Sequence, residues 1–211
     1  MYSKKNINIK ISSEFNSITN KEMVKLEKIY NVYFKEQNFK DIDFKFTEFN
    51  ECKFDKLDFS SSKIEHVTFI DCIFNDCDLS NRSINLKSLV RCKFINCRMI
   101  GFSVFDSALE DILFDNCLLK YVNLSGNKIK NLIFNSCCLD EGRILENEFK
   151  GIFFESCSLL NVEVLDCKMK DIDLSSCKID GIRIKIVDLR GMIVSFEQSM
   201  ELIKLLGVVV K

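Results

Sequence analysis

Apolar residues recur at every fifth position over most of this chain. From Phe34 to Leu189, each fifth residue is Phe, Ile, Leu, Met or Val without exception. Neither an α-helix nor a flat strand repeats its side chains at this interval, because their side-chain periods are about 3.6 and 2. A fixed short period means that every unit adopts one backbone conformation and stacks on its neighbours. The pattern therefore predicts a solenoid.

A second register lies two residues earlier and holds smaller side chains. It is mostly Cys or a β-branched residue, as at Cys77, Val122 and Ile172. The remaining three positions of each unit are polar, and several residue types there tolerate the backbone angles of a tight corner. These corner residues include Asn96, Gly101, Asp106, Asp111, Asn116, Gly126 and Asn131. Two inward residues and one corner make one side of a polygon.

The number of sides follows from the kind of residue found 20 positions apart. Two uniform series run along the chain: Phe34, Phe54, Phe74, Phe94, Phe114, Phe134, Phe154, and Cys77, Cys97, Cys117, Cys137, Cys157, Cys177. Like residues stack only if each coil takes 20 residues, which is four sides. The pattern predicts about eight coils, or ~38 Å at the ~4.8 Å spacing of strands.

Individual units resemble those of the pentapeptide repeat family, whose consensus is Ala-(Asp/Asn)-Leu-X-X. Residues 77–81 read Cys-Asp-Leu-Ser-Asn, and residues 172–176 read Ile-Asp-Leu-Ser-Ser. Cys often replaces Ala and Phe often replaces Leu, so the size order of the inward positions is kept. The resemblance implies an all-β solenoid, a right-handed quadrilateral β-helix of about eight coils over residues 34–189. A short N-terminal cap over 1–33 and a C-terminal helix and tail over 190–211 complete the expected organisation.

The C-terminal segment leaves the repeat and is typical of a short helix. Ser195 and Gln198 form a capping box, and Gly207 fits a helix stop. One helix face is expected to cover the last coil, whose edge is otherwise open. The apolar surface is wider than that task needs, so a second copy is expected on another face. The predicted dimer interface comprises Phe196, Met200, Leu202, Ile203, Leu205 and Leu206.

This tail also resembles the C-terminus of quinolone-resistance (Qnr-type) pentapeptide proteins. The shared features are a polar cap with Gln nearby, then Leu-Gly-Val and a β-branched end. The resemblance implies a tail-to-tail homodimer that mimics DNA and binds DNA gyrase or topoisomerase IV. Because the five-residue phase never slips, the loopless members are the closer comparison.

Charge fits this mimicry poorly. A ~38 Å length of duplex carries about 22 negative charges. Residues 34–189 contain 26 acidic and 21 basic residues, a net of −5 that is spread over the four sides. The alternative function is a protein-interaction scaffold that uses outward apolar residues, which in a row can mark a binding patch or be tolerated singly. The residues that share one outward column are Ile73, Leu113, Ile133 and Phe153.

The cysteines and the histidine give no pattern for chemistry. Ten of the 11 cysteines occupy the smaller inward register at multiples of five residues, whereas zinc ligands typically lie two to four residues apart. We interpret them as small core residues, with soft-metal binding or oxidation as the less favoured alternative. His66 is the single histidine and falls on an outward turn. The sequence predicts a non-enzymatic protein without metal or cofactor.

Charge and hydropathy also bound the location. The formal net charge is −1, which indicates neither a nucleic-acid binder nor a membrane-surface protein. Apolar runs near 18 residues are missing from the sequence, and the first residues lack the apolar stretch of a signal peptide. We therefore expect a cytoplasmic protein with reduced thiols.

Two regions leave the local path open. Near the N-terminus, alternation at Ile7, Ile9 and Ile11 predicts a short strand. Thr19 and Glu22 suggest a capped helix, followed by Met23, Leu26, Ile29 and Tyr30 at helical spacing. The alternative is that the first coil begins near residue 22, because Val24 and Ile29 also fit the five-residue phase.

Within the repeat, Arg82 and Lys87 occupy small inward slots. They predict a distorted backbone over 81–90, with both charges turned outward. Gly142 and Asn147 suggest a second irregular spot.

Overall fold

The computed structural model describes residues 6–18, 26–36, 39, 42–84 and 88–209, and over these ranges the chain forms a four-sided β-solenoid. The described strands are β1 (Lys28–Tyr30), β2 (Tyr33–Lys35), β3 (Glu48–Asn50), β4 (Lys53–Asp55), β5 (Thr68–Ile70), β6 (Ile73–Asn75), β7 (Ser83–Ile84), β8 (Ser88–Ile95), β9 (Ser103–Phe105), β10 (Ala108–Asp115), β11 (Asn123–Ser125), β12 (Lys128–Asn135), β13 (Arg143–Leu145), β14 (Glu148–Glu155), β15 (Glu163–Leu165) and β16 (Arg183–Ile184). The described helix, α1, spans Phe196–Ile203 and continues as a 3₁₀ turn over Lys204–Leu206.

Strands of successive coils pair in parallel with a register of 20 residues. Phe34 pairs with Phe54, and Leu124 with Ile144. We name the four sides by their large inward columns: side A carries the Phe34 column, side B the Phe39 column, side C the Phe44 column and side D the Phe49 column. From Ser88 onward the long strands β8, β10, β12 and β14 cross from side D to side A in one ten-stranded sheet, while side C forms a six-stranded sheet.

The four-sided solenoid is confirmed, and the strand stack is slightly shorter than expected. Seven strands follow one another along side D, in the order β1-β3-β5-β8-β10-β12-β14. About seven coils therefore carry strands on that side rather than eight, because turns replace strands over residues 186–191. The stack also begins earlier than residue 34. Ile29 in β1 pairs with Phe49, which favours the earlier of the two starts left open by the sequence.

Corners fall at every fifth residue, where the backbone enters the left-handed region. All seven corner residues named from the sequence have positive φ, from 46° at Asp106 to 68° at Gly101 and Gly126. Asn and Asp accept this conformation better than other residues with a Cβ, and Gly accepts it freely. At Gly126 a Cβ would also lie 2.5 Å from Oδ1 of Asp106 in the preceding coil. The polar residues of each unit thus set where the polygon turns.

The interior of side A is a continuous stack of phenylalanine rings. Neighbouring centroids from Phe34 to Phe154 lie between 4.5 and 5.2 Å apart, with interplanar angles of 7 to 18°. This spacing matches that of paired strands, so the backbone ladder fixes the ring separation. Phe134 is fully buried between Phe114 and Phe154. The repeat therefore buries one large aromatic ring per coil on this side.

The spot expected to be irregular around Asn147 is a regular ladder of buried polar groups. Ser107, Asn127 and Asn147 are 3%, 0% and 6% exposed and occupy successive coils. Asn127 Oδ1 accepts from Ser107 N–H at 3.0 Å, and Asn147 Oδ1 accepts from Asn127 N–H at 2.9 Å. Each asparagine also donates Nδ2–H to a backbone carbonyl, of Val104 at 3.0 Å and of Leu124 at 2.8 Å. The prediction of irregularity was wrong because these amides replace the missing apolar contact with hydrogen bonds.

The predicted distortion is also not found where the chain near residue 82 is described. β7 pairs with β9 in the ordinary register, and Ser103 N–H donates to Arg82 O at 2.8 Å. The Arg82 side chain is half-buried and donates Nη1–H to Ser62 O of the preceding coil at 2.9 Å. Lys87 lies outside the described residues. The backbone over 81–84 keeps its path because the guanidinium group bonds along the stack.

Residue 142 keeps the coil regular by being glycine. A Cβ there would lie 2.7 Å from Leu139 O and 2.9 Å from Cγ1 of Val122. The following strand, β13, pairs with both β11 and β15.

Residues 6–16, which we call the strap, run along side A outside the coils. Ile7 is buried, Asn8 and Lys10 are exposed, and Ile9 and Ile11 are half-buried. The predicted alternation is present, although residues 6–12 join no strand ladder. The strap reaches the first coil at Asn16, which bridges to Val32. The predicted helix after Thr19 begins on residues 19–25, outside the described part, and its expected later positions Ile29 and Tyr30 lie in strand β1 instead.

Helix α1 begins and ends as the sequence indicates. Ser195 Oγ accepts from Gln198 N–H at 3.3 Å, and Gln198 Oε1 accepts from Ser195 N–H at 2.7 Å. Gly207 ends the 3₁₀ turn in the left-handed region with φ of 74°.

Candidate interaction surfaces

The face of helix α1 that packs on the last coil is not its most apolar face. Leu202 and Leu205 pack partly against the core. The exposed side chains of this end include Phe196 at 81%, Leu206 at 58% and Met200 at 36%. Ile203 is half-buried. The six residues predicted for a dimer interface therefore divide into an inner pair, Leu202 and Leu205, and an outer set.

Gln198 seals the open end of the solenoid. Its Nε2 donates to Leu174 O at 2.8 Å and to Cys177 O at 2.6 Å, and the residue is 9% exposed. These carbonyls belong to the coil with which Ile193 pairs, at Asp173, just before the chain enters helix α1. The side chain thus caps the helix and the coil at once. Sequence reasoning assigned Gln198 only to the capping box.

Part of the outward apolar column on side A lies against the strap. Ile133 is 3% exposed although it points out of the coil, while Ile73, Leu113 and Phe153 are half-buried. Asn6, Ile7 and Asn8 line a depression of about 470 Å³ together with Leu113 and Ile133. Strand pairing places the four column residues in one row along side A, with Lys93 between Ile73 and Leu113. At Leu113 and Ile133 this row faces the chain's own N-terminal segment.

Asp71 fastens the strap to the coil. This corner residue is 3% exposed and accepts from the Lys10 N–H at 3.1 Å. Arg91, one coil further on, makes two hydrogen bonds to the same carboxylate at 2.6 and 2.8 Å. Burial alone would raise the pKa of Asp71, but the Arg91 guanidinium and the Lys10 N–H outweigh it and lower that pKa. The carboxylate is therefore a charged, fully engaged anchor.

Nine of the cysteines form two stacked columns in the core, one from Cys52 to Cys92 and one from Cys77 to Cys177, while Cys167 continues the column of Asn147. Ten are buried, and Cys138 is intermediate. Most of the stacked thiols lie against two carbonyls; Cys97 Sγ, for example, is 3.4 Å from Ile95 O and 3.5 Å from Phe74 O. Burial raises the pKa of Cys72 well above its usual value, and burial also raises that of Cys167. Since the thiolate is the reactive form, these two thiols are poorly placed for native-state chemistry, and burial shields the other eight buried thiols from reagents.

We expect a thiol reagent to separate Cys138 from the rest. Under native conditions one thiol per chain should react in a fast phase, whereas all 11 should react in denaturant. A Cys138→Ser variant should lose the fast phase and keep the slow one. Rapid native labelling of several cysteines would contradict the buried columns.

The other candidates for chemistry stay apart. His66 stacks on Phe46 with centroids 5.2 Å apart, on an outer corner. Among the described residues, no group of three His, Cys, Asp or Glu side chains is arranged to hold a metal ion. The helices of the described ranges include none long and apolar enough to cross a membrane.

Surface charges are paired between successive coils. Arg98 lies 3.6 Å from Asp78, Lys45 lies 3.1 Å from Glu65, and Lys130 pairs with Glu110. Such exposed pairs contribute little to stability. They do neutralise the acids at these positions, and the net charge of −5 over residues 34–189 is far smaller than that of a duplex of the same length.

A search for known relatives identifies the repeat. Residues 67–144 match the sequence profile of the pentapeptide repeat region. The same corner spacing continues on both sides of that segment. No curated protein of similar sequence was found.

Several solved structures are similar to this chain. Full-length QnrB1, described as a plasmid-mediated fluoroquinolone resistance protein, is 21% identical over 86% of this chain and 90% of its own, with a TM-score of 0.33. HetL from the cyanobacterium Nostoc, involved in regulating heterocyst differentiation, is 16% identical over 79% and 89%, with a TM-score of 0.27. Rfr23 from the cyanobacterium Cyanothece is 9% identical over 80% and 92%, with a TM-score of 0.28. Sequence identities and TM-scores this low bear on neither the partner nor the activity of this chain.

Proposed function

We propose that this chain, whose residues 67–144 match the pentapeptide repeat region, acts by binding, as a homodimer that occupies the duplex-DNA site of a type II topoisomerase, DNA gyrase or topoisomerase IV. It catalyses nothing in this role. The observation that carries the proposal is the two-faced helix α1, which closes the coil with one face and exposes Phe196, Met200 and Leu206 on the other. Cytoplasmic location follows from the proposed partner.

The exposed face of α1 supports tail-to-tail pairing. Phe196 is 81% exposed and Leu206 is 58% exposed, at the end of the rod and beside the exposed Val208 and Val209. Covering the apolar side chains at this end with a second copy removes them from water, which lowers the free energy of the dimer. Seven stacked coils measure about 34 Å at ~4.8 Å per coil, so the paired rod is roughly 70 Å long before the caps are counted.

The dimer is tested by placing a charge on the exposed face. Leu206→Asp and Phe196→Asp should each weaken association by about 100-fold or more, since an unpaired buried charge costs several kcal/mol and ~1.4 kcal/mol is tenfold. Phe46→Asp is the matched control, because Phe46 is 63% exposed at the other end of the rod. Sedimentation should give a dimer for the unmodified protein and the control, and a monomer for the two tail variants. A monomer for the unmodified protein at micromolar concentration would reject the dimer.

Binding to the topoisomerase is tested by a supercoiling assay. Gyrase is titrated with the protein, with and without a quinolone. We expect inhibition of supercoiling at high ratios, protection from the drug at lower ones, or both. Because the surface acids are paired, the same titration is repeated at several salt concentrations, where charge mimicry predicts weaker binding as salt rises. Neither inhibition nor protection at a large molar excess would reject the proposal.

A second candidate function is favoured by the apolar column on side A. Ile73, Leu113, Ile133 and Phe153 lie in one row, and the row already binds an extended segment, the strap. In this role the protein is a scaffold whose binding is insensitive to salt. Phe153→Asp should abolish partner binding there while leaving the topoisomerase assay unchanged.

A further inference from the structure

The strap crosses several coils and shows what side A can hold. Ile7 lines a depression together with Leu113 and Ile133. The Lys10 N–H bonds to Asp71, and Asn16 bridges to Val32. The nine residue steps from Ile7 to Asn16 reach at most about 30 Å at ~3.3 Å each. The five coil steps from residue 133 to residue 33 measure about 24 Å at ~4.8 Å each, so the segment is long enough to span them. The segment therefore runs along the axis of the rod, across the coils.

The strap and the column are complementary in their apolar positions. Ile7 is 7% exposed, and Ile133 beneath it is 3% exposed. Asn8 and Lys10, which alternate with the isoleucines, are exposed. At the other end, the rings of Phe15 and Tyr33 lie 5.4 Å apart. The surface thus accepts an extended chain with an apolar residue at alternate positions.

The strap is held most firmly where it joins the first coil. Asn16 N–H donates to Asn31 O at 2.7 Å, Asn16 Nδ2–H to Tyr30 O at 3.1 Å, and Asn31 Nδ2–H to Glu14 O at 2.6 Å. Further along, the Lys10 N–H bonds to Asp71. At the far end, a depression of about 470 Å³ remains between residues 6–8 and the coil. The bonds therefore concentrate at residues 10–16, and the end near Ile7 depends mainly on apolar contact.

We propose that side A is a groove for an extended protein segment with apolar residues at alternate positions, and that the strap occupies this groove until a partner's segment displaces it. The proposal deepens the second candidate function and rests on it. The partner is recognised by the features that the strap itself displays: an Ile-like side chain over Leu113 and Ile133, polar residues between apolar ones, and little net charge. Displacement starts at the end near Ile7 and proceeds toward Asn16.

A labelled synthetic peptide of residues 6–18 tests this in the full-length protein. Ile7→Asp should loosen the end of the strap near Ile133, because it removes the apolar contact on which that end depends without changing the coil, and displacement can then proceed toward Asn16. Fluorescence anisotropy should then show the peptide binding the Ile7→Asp protein at least tenfold more tightly than the unmodified protein, whose strap competes. A peptide that itself carries Ile7→Asp should not bind.

The site is tested by a second change in the Ile7→Asp protein. Adding Leu113→Asp on side A should weaken peptide binding at least tenfold, whereas Leu145→Asp, at a half-buried outward position on side C, should not. Unchanged slow thiol labelling verifies that each variant keeps its coil. Equal or weaker binding to the Ile7→Asp protein, no binding to either protein, or equal effects of the two added charges would overturn the proposal. The assay contains no topoisomerase, so its failure is distinguishable from failure of the topoisomerase proposal.

Discussion

A Phe134→Ala variant is expected to lose about 3–5 kcal/mol of unfolding free energy, the usual range when a buried phenylalanine is truncated. Phe134 is fully buried, and its ring stacks on Phe114 and Phe154 at 5.1 and 5.2 Å. The ladder spacing prevents the neighbouring rings from closing over the gap, because strand pairing fixes their separation. Each coil also contacts only its neighbours, so the defect cannot be shared widely.

Urea unfolding followed by circular dichroism measures this loss. Phe46→Ala is the matched control, because Phe46 is 63% exposed and stacks only on the outer ring of His66. The control should change stability by no more than about 0.5 kcal/mol, as is usual for surface positions. A loss below about 1 kcal/mol for Phe134→Ala would show that the stack does not carry the core.

An Asn127→Ala variant is expected to lose about 2–3 kcal/mol. The Ser107 N–H would lose its acceptor in a fully buried position, and an unpaired buried group costs about 1–3 kcal/mol. A cavity left by the amide adds to that cost. Asn127 is 0% exposed and lies between Ser107 and Asn147 in the ladder.

Comparing Asn116→Ala with Asn127→Ala shows whether the loss of stability comes from burial or from the hydrogen bond itself. Asn116 also bonds to the coil before it, through Nδ2–H to Asn96 Oδ1 at 2.8 Å, but this bond is exposed. Water replaces that bond readily, but Asn116 has a φ of 52° and Ala fits the left-handed region less well than Asn, so the change should cost about 1 kcal/mol. Equal losses for the two alanine variants in urea titrations would contradict a special role for the buried ladder.

Much of the fold follows from the five-residue period. The period alone places one corner per unit, and the 20-residue recurrence of Phe and Cys sets four sides. These features are readable because every unit repeats one local conformation. The polar ladder was readable too, since Ser107, Asn127 and Asn147 are 20 positions apart. Taken singly, Asn147 suggested a defect, whereas the stacked series indicates mutual hydrogen bonding.

The surfaces were harder to predict because they depend on segments that leave the repeat. Alternation at Ile7 indicated one buried face, but nothing local in the sequence tells which side of the rod that face covers. The four residues of the apolar column were read as outward, which they are, yet their cover comes from more than 60 positions away, as at Lys10 and Asp71. Helix α1 posed a similar problem. Its widest apolar stripe faces solvent, because Gln198 bonds to the last coil and fixes the rotation of the helix.

The most direct test of the proposed function is competition with DNA for a purified topoisomerase. A labelled DNA duplex bound to gyrase is titrated with the unmodified protein and with the Leu206→Asp variant at physiological salt, and the bound duplex is measured by anisotropy. The proposal predicts that the unmodified protein displaces the duplex and that the variant does so at least tenfold less effectively. No displacement of the duplex at a large molar excess of the unmodified protein would contradict it.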